Sequence, residues 1–142
     1  MIDHDVVEVL HIDDNHGDLE LTRAAFMDCC PAIQYRGLAD PCEALIYLAE
    51  CARKGAPPPA LVVLDLNMPR VRGIEVLAFI RRHPALDRLP VAVLTTSTRS
   101  VEVEECRRMG AVAVLTKPSS YDDLVVMVRR LIGHLPRAET AR

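Results

Sequence analysis

Five polar side chains in this sequence sit at the ends of short apolar runs, and together they suit one chemistry. Asp13 and Asp14 follow Val6–Ile12, Asp65 lies near the end of Leu61–Leu66, Thr95 closes Val91–Thr95, and Lys117 follows Val112–Thr116. Three carboxylates gathered at one place repel, and at least one is driven to hold a proton. A hard divalent cation with oxygen ligands relieves that, Mg²⁺ being the usual choice beside phosphate. The Lys117 ammonium relieves it too. Such a site suits phosphoryl transfer, where positioning and charge stabilisation do most of the work. Its parts are a nucleophilic carboxylate, a metal, a cation and a hydroxyl donor, and each has a candidate.

Taken singly, none of these groups decides anything. Asp13-Asp14-Asn15 reads equally as a polar loop capping a helix. Lys117-Pro118 reads as a turn, and Thr95 as an ordinary strand residue. The conjunction carries the inference, because several apolar runs end on one required group each.

The elements that must position them alternate. Apolar runs at Val6–Ile12, Ile33–Leu38, Leu61–Leu66, Val91–Thr95 and Val112–Thr116 predict strands. Helices are expected over Asp18–Cys29, from Asp40 to near Gly55, over Gly73–Arg82, over Ser100–Met109, and after Ser119 or Ser120. Asp40 can cap, Pro41 suits a first turn, and Glu43 stands at the capping-box position. Leu124, Val128, Leu131 and Leu135 share one face of the last helix. Strands alternating with helices predict a parallel sheet covered on both faces, with right-handed crossovers. The strands read as continuous apolar runs rather than alternating ones, as doubly buried strands do, with Ile33–Leu38 the weaker one. Ligands of such sheets bind beyond the carboxyl ends of the strands, where strand order reverses. All five candidate groups belong there.

The bulk properties bound the reading. The 142 residues suit one domain, with a core over about 6–135 and a polar tail at 136–142. The net charge of −3 gives no electrostatic case for nucleic acid. No apolar run approaches the ~20 residues of a membrane span, and the acidic start lacks a signal-peptide pattern. Five cysteines with no CxxC spacing are expected to be reduced thiols in a cytoplasmic protein. Of the adjacent Cys29 and Cys30, one is expected to be buried at a helix end. His11, Asp13, Asp14 and His16 fit no standard transition-metal ligand spacing, and His11 is expected to pack within its strand.

These motifs resemble the receiver domains of bacterial response regulators from Val6 to about Leu135. The matching stretches are His11-Ile-Asp-Asp-Asn15, Val62-Val-Leu-Asp-Leu-Asn-Met-Pro69 with Gly73 following, Val93-Leu-Thr-Thr-Ser97 and Leu115-Thr-Lys-Pro118. Thr95 lies 30 positions after Asp65 and Lys117 lies 22 after Thr95, spacings that also resemble the family's. The resemblance implies a flavodoxin-like α/β fold, (βα)5 and doubly wound, with strand order 2-1-3-4-5. It implies Asp65 as phosphoacceptor, and Mg²⁺ held by Asp14, Asp65 and the main-chain carbonyl of Asn67, with Asp13 acting through water. Thr95 would donate its hydroxyl to the phosphoryl group, Lys117 would pair with it, and the Lys117–Pro118 bond would be cis. The implied protein is no turnover enzyme but a phosphoacceptor that catalyses its own phosphorylation and dephosphorylation.

The partner implied is a sensor histidine kinase. The stretch Cys51–Pro59, read as an extended loop, together with the Leu-Thr-Thr-Ser stretch and the Asp-Asp-Asn-x-x-Asp start, narrows the resemblance to stand-alone regulators partnered by bacterial phytochromes. One departure stands out: Val114 occupies the place where the family often has an aromatic switch residue. Relay through loop and helix changes around Thr95–Arg99 is the alternative. With no effector segment after Pro136, output is expected through protein contacts, with a homodimer through the helix 4–strand 5–helix 5 face. A phosphorelay intermediate or phosphate sink remains an alternative function. A phosphatase using an aspartyl phosphate is disfavoured, because Asn67 stands where that mechanism needs an acid.

Overall fold

The computed structural model describes residues 7–135, so the start of the first expected strand at Val6 and the tail 136–142 lie outside the described residues. The elements run β1 (Val7–Ile12), α1 (His16–Cys29), β2 (Ile33–Leu38), α2 (Pro41–Lys54), β3 (Leu61–Asp65), α3 (Gly73–Arg82), β4 (Val91–Thr95), α4 (Val101–Arg108), β5 (Ala113–Thr116) and α5 (Tyr121–Ile132). The strands form one sheet in the order β2-β1-β3-β4-β5, and every pairing is parallel. This is the flavodoxin-like order expected from the motifs. Strand order reverses between β1 and β3, so the ends of those strands open the crevice in which Asp13 and Asp65 meet.

Successive strand residues face opposite sides of the sheet, and this divides the core in two. Leu10, Ile12, Val62, Leu64, Val91 and Val93 pack with Leu48, Leu77, Ile80 and Val103 under α2, α3 and α4. Val7, Val9, Val63, Ala92 and Leu94 pack with Phe26, Leu124, Val128 and Leu131 under α1 and α5. All five residues of β3 are buried, as are all five of β4. Truncating one of these core leucines to alanine costs about 2–5 kcal/mol.

Local chemistry sets the helix ends. α1 begins two residues earlier than expected, because Asn15 is the cap: its Oδ1 accepts from the Asp18 amide at 3.0 Å. Asp40 caps α2 by accepting from the Cys42 amide at 2.8 Å, and the Glu43 side chain makes no reciprocal capping bond among the described residues. α2 runs through Lys54 and stops at Gly55 with φ 67°, so the loop expected to start at Cys51 starts at Gly55. Ser100 and Ser120 cap α4 and α5 through the amides of Val103 and Asp123. Cys29 and Cys30 are both partly buried, in place of one buried and one free, because the turn back to the Phe26 carbonyl leaves both against the second core.

Candidate phosphoryl and metal site

Asp13 and Asp65 are held by the same device at neighbouring strand ends. Each is 1% exposed, and each uses Oδ1 to accept the amide two residues ahead, Asn15 and Asn67 respectively, at 2.9 Å. That turn fixes the side chain and leaves Oδ2 for other partners. Asp14 is exposed at the mouth. One carboxylate oxygen from each of Asp13, Asp14 and Asp65 lies within 4.8 Å of the others. An all-oxygen donor set with this much negative charge fits a hard divalent cation, and the three predicted carboxylates are together. For Asn67, the side chain is otherwise engaged: its Oδ1 accepts the Thr96 amide at 3.0 Å, joining the loops after β3 and β4.

Lys117 faces this cluster from the end of β5. Its Nζ lies 3.2 Å from Asp65 Oδ2, 3.4 Å from Asp13 Oδ2 and 3.5 Å from Asp18 Oδ2. Burial lowers its affinity for the proton, but Asp13, Asp65 and Asp18 more than reverse this, so the ammonium is held above its usual range. Asp13 moves the other way from an ordinary carboxylate. Burial, helped by the Asp65 charge, pushes it up to about 6 against the pull of the Asn15 amide and Lys117. Asp18 belongs to this constellation and was not foreseen. It sits one helical turn beyond the acidic pair, a spacing that brings it back over the strand end.

Thr95, 2% exposed, uses its hydroxyl within its own loop. Its Oγ1 donates to the Ser97 carbonyl at 3.0 Å and accepts the Ser97 amide at 3.2 Å. Val114 is half-buried against the first core. The Lys117–Pro118 bond, expected to be cis, is trans: no cis peptide occurs among the described residues. Trans is the intrinsically favoured isomer, and Lys117 reaches Asp65 with it.

Two further residues touch the site from below. His11 is fully buried, its Nδ1 2.6 Å from the Tyr35 hydroxyl and its Nε2 3.7 Å from Asp13 Oδ2. Burial, with Lys117 adding to it, holds the ring down at about 3, so it is neutral. His11 packs in its strand as expected, and its link to Asp13 needed only the strand period to be noticed. Gly73 opens α3 directly against the Asp65 and Leu66 backbone.

Comparison with known proteins supports the fold. A family model described as the response regulator receiver domain matches residues 9–129. Response regulator Rcp1 of Synechocystis sp. is 33% identical over 122 residues, covering 85% of this chain and 83% of that protein. The crystal structure of the phosphorylated cyanobacterial phytochrome response regulator RcpA superposes with a TM-score of 0.79 at 29% identity, over 89% of this chain and 91% of that one. The Mn²⁺-bound form of Rcp1 gives 0.76 at 32% identity, over 88% and 91%.

Proposed function

Because the chain belongs to the response regulator receiver domain family, we propose that it is a phosphoryl-controlled switch, with Asp65 the acceptor and residues 6–135 one receiver domain. The observation that carries this is the setting of Asp65. It is buried at the reversal point of the sheet, with two further carboxylates within 4.8 Å and the Lys117 ammonium at 3.2 Å. An oxygen of Asp65 attacks the phosphorus of a phosphohistidine. The P–O bond forms as the P–N bond breaks, and the imidazole nitrogen leaves with the electron pair and takes up a proton. Lys117 exchanges its pairing with Asp65 for one with a phosphoryl oxygen.

Asp14, Asp65 and the Asn67 carbonyl would hold Mg²⁺, with Asp13 acting through water. When bound, the cation neutralises charge on the phosphoryl oxygens. The structure suits the unphosphorylated state, since the Thr95 hydroxyl is spent on Ser97. Reaching a phosphoryl group on Asp65 breaks both Ser97 bonds and releases the loop that leads to α4. That supplies a relay without an aromatic residue at Val114.

The proposed donor is a sensor histidine kinase, a bacteriophytochrome being the kind that the phytochrome regulator RcpA brings to mind. The chain acts in the cytoplasm and turns over no substrate of its own. Output runs through a homodimer formed by α4, β5 and α5. Val101 and Val126 stand exposed on that face, beside the open edge of β5.

Intact-protein mass spectrometry after incubation with Mg²⁺ and acetyl phosphate tests the acceptor. One phosphoryl adduct is expected on wild type, and none on Asp65→Asn or in EDTA. Adduct on the variant would place the acceptor elsewhere.

A further inference from the structure

Two buried polar atoms beneath the site face one another: His11 Nε2, which has no hydrogen-bond partner, and Asp13 Oδ2, whose one neighbour of opposite charge is the Lys117 ammonium at 3.4 Å. The His11 and Asp13 atoms are 3.7 Å apart, and both side chains are 1% exposed. The placement follows from the strand period, since Asp13, one residue past the end of β1, continues its alternation and so shares a face with His11. His11, Asp13, Thr22 and Lys117 line a cavity of about 280 Å³ between α1 and α5.

The Tyr35 hydroxyl lies within reach of both His11 Nδ1 and the Leu19 carbonyl, and its bond to that carbonyl favours one tautomer of the ring. The Tyr35 hydroxyl has one hydrogen, and it donates that to the Leu19 carbonyl at 3.1 Å. It therefore accepts from His11 Nδ1 at 2.6 Å. In the neutral ring Nε2 is then a bare acceptor, turned toward an acceptor oxygen of Asp13. Buried acceptors of this kind are satisfied in folded proteins. A group with two hydrogens serves both at once, and a water bound at the polar edge of the adjoining cavity, beside Asp13 and Lys117, is such a group.

We propose that His11 is a positioning residue for Asp13: with its tautomer set by Tyr35, it holds Asp13 Oδ2 through one shared water and aims the carboxylate at the metal site. The proposal rests on reading Asp13, Asp14 and Asp65 as a divalent-cation site. Partners that orient a ligating group from outside contribute tenfold or more to metal affinity. A histidine that merely fills the core contributes to stability and leaves that affinity alone.

The test is a titration with Mn²⁺ alone, read by the electron paramagnetic resonance of the free ion, on wild type, His11→Leu, His11→Gln and Tyr35→Phe. Nitrogen-15 correlation spectra of the His11 ring report its tautomer alongside. Wild type should carry the proton on Nδ1. His11→Leu should fold cooperatively yet bind Mn²⁺ tenfold or more weakly. His11→Gln should recover most of the loss by restoring a polar atom near the Nε2 position. Tyr35→Phe should free the tautomer and weaken binding to an intermediate degree.

Tight binding by wild type with the same Kd in a folded His11→Leu removes the role of His11 and leaves the metal site standing. A wild-type ring protonated on Nε2 overturns the proposal as well. Should His11→Leu fail to fold, Tyr35→Phe decides: a switched tautomer with an unchanged Kd overturns the proposal. Absence of Mn²⁺ binding by wild type overturns both the metal site and the role of His11.

Discussion

A Cβ on Gly73 would lie 2.5 Å from the main-chain carbonyl oxygen of Asp65 and 2.8 Å from the Leu66 Cα. Both obstacles are backbone, so neither yields by a rotamer change. The first residue of α3 is thus packed onto the peptide that carries Asp65, the proposed acceptor, and the helix can approach this closely only because position 73 has no side chain.

Gly73→Ala should therefore cost about 1–3 kcal/mol, the usual range for overpacking, and should also displace the acceptor. Gly55→Ala is the control. Its left-handed φ of 67° carries a penalty of about 1 kcal/mol, but nothing lies within 4 Å of the added Cβ. Urea denaturation should show both losses, while acetyl phosphate labelling should slow only for Gly73→Ala. Equal labelling by the two variants would uncouple the helix contact from the acceptor.

Arg81 ties α3 to the far ends of its neighbours. Its guanidinium donates to the carbonyls of Met109 at 2.6 Å, Leu89 at 2.7 Å, Gly110 at 3.1 Å and Asp87 at 3.2 Å. A lysine has the charge but not the planar fork. Arg81→Lys and Arg81→Met should each lose about 2 kcal/mol, since hydrogen bonds to charged groups contribute about 1.5–3 kcal/mol apiece when well buried and this one is partly solvated. Rescue by lysine to wild-type stability would show that charge alone matters.

The buried pair His11 and Asp13 gives metal-free protein an unusual pH profile. His11 falls from 6.5 to about 3 through burial and Lys117. The folded state then binds fewer protons than the unfolded one, so this contribution is present above pH 6.5 and lost as pH falls through that window. Asp13 rises from 3.8 to about 6 through burial and the charges of Asp65 and Asp18, against Asn15 and Lys117. Its contribution is present below pH 3.8 and lost as pH rises through about 6. Between about pH 4 and 6 the two slopes oppose, and the pair should leave wild-type stability nearly flat. In EDTA, Asp13→Asn should lose stability on acidification from pH 6.5, by up to about 1.4 kcal/mol per unit. His11→Leu should instead gain stability on acidification from pH 6 to 4. Parallel urea-denaturation profiles for all three proteins would refute these shifts.

In the proposed function Lys117 and a divalent cation compete for the same carboxylates. Removing the ammonium in Lys117→Met should tighten Mn²⁺ binding severalfold while slowing phosphoryl uptake by about 100-fold, the loss expected when a charge on the transferred group goes unmatched. Titration and mass labelling on one preparation measure both. Weaker metal binding in the variant would mean that Lys117 organises the carboxylates rather than competing for them.

The proposed dimer face has a direct probe in Val126, which is 55% exposed on α5. Light scattering at high concentration should show a dimer for wild type, with or without a phosphate mimic, and a monomer for Val126→Asp. A wild-type monomer under both conditions would remove the homodimer from the reading.

Much of this protein is legible along the chain. The apolar runs marked the strands to within a residue or two. β3 and β4 are buried at all five positions and apolar at all but the final Asp65 and Thr95, while the edge strand β2 reads more weakly because Gln34 and Arg36 face outward. Asp13, Asp65, Thr95 and Lys117 were found because strand order alone sends the ends of β1, β3, β4 and β5 to one edge. Asn15, Asp40, Ser100 and Ser120 act as caps within a few residues of themselves, which makes them readable from local order.

What tertiary structure alone decided involves partners far apart in sequence. The trans Lys117–Pro118 bond, the turn of Thr95 toward Ser97, and the reach of Lys117 to Asp18 depend on how loops from separate strands settle against each other. So does the His11–Tyr35 bond, which joins β1 to the adjacent strand across 24 residues of sequence. Hydrophobic periodicity specifies which face of an element is buried. It carries no information about which polar atom meets which inside that burial, because that is settled only when every neighbouring chain segment is in place.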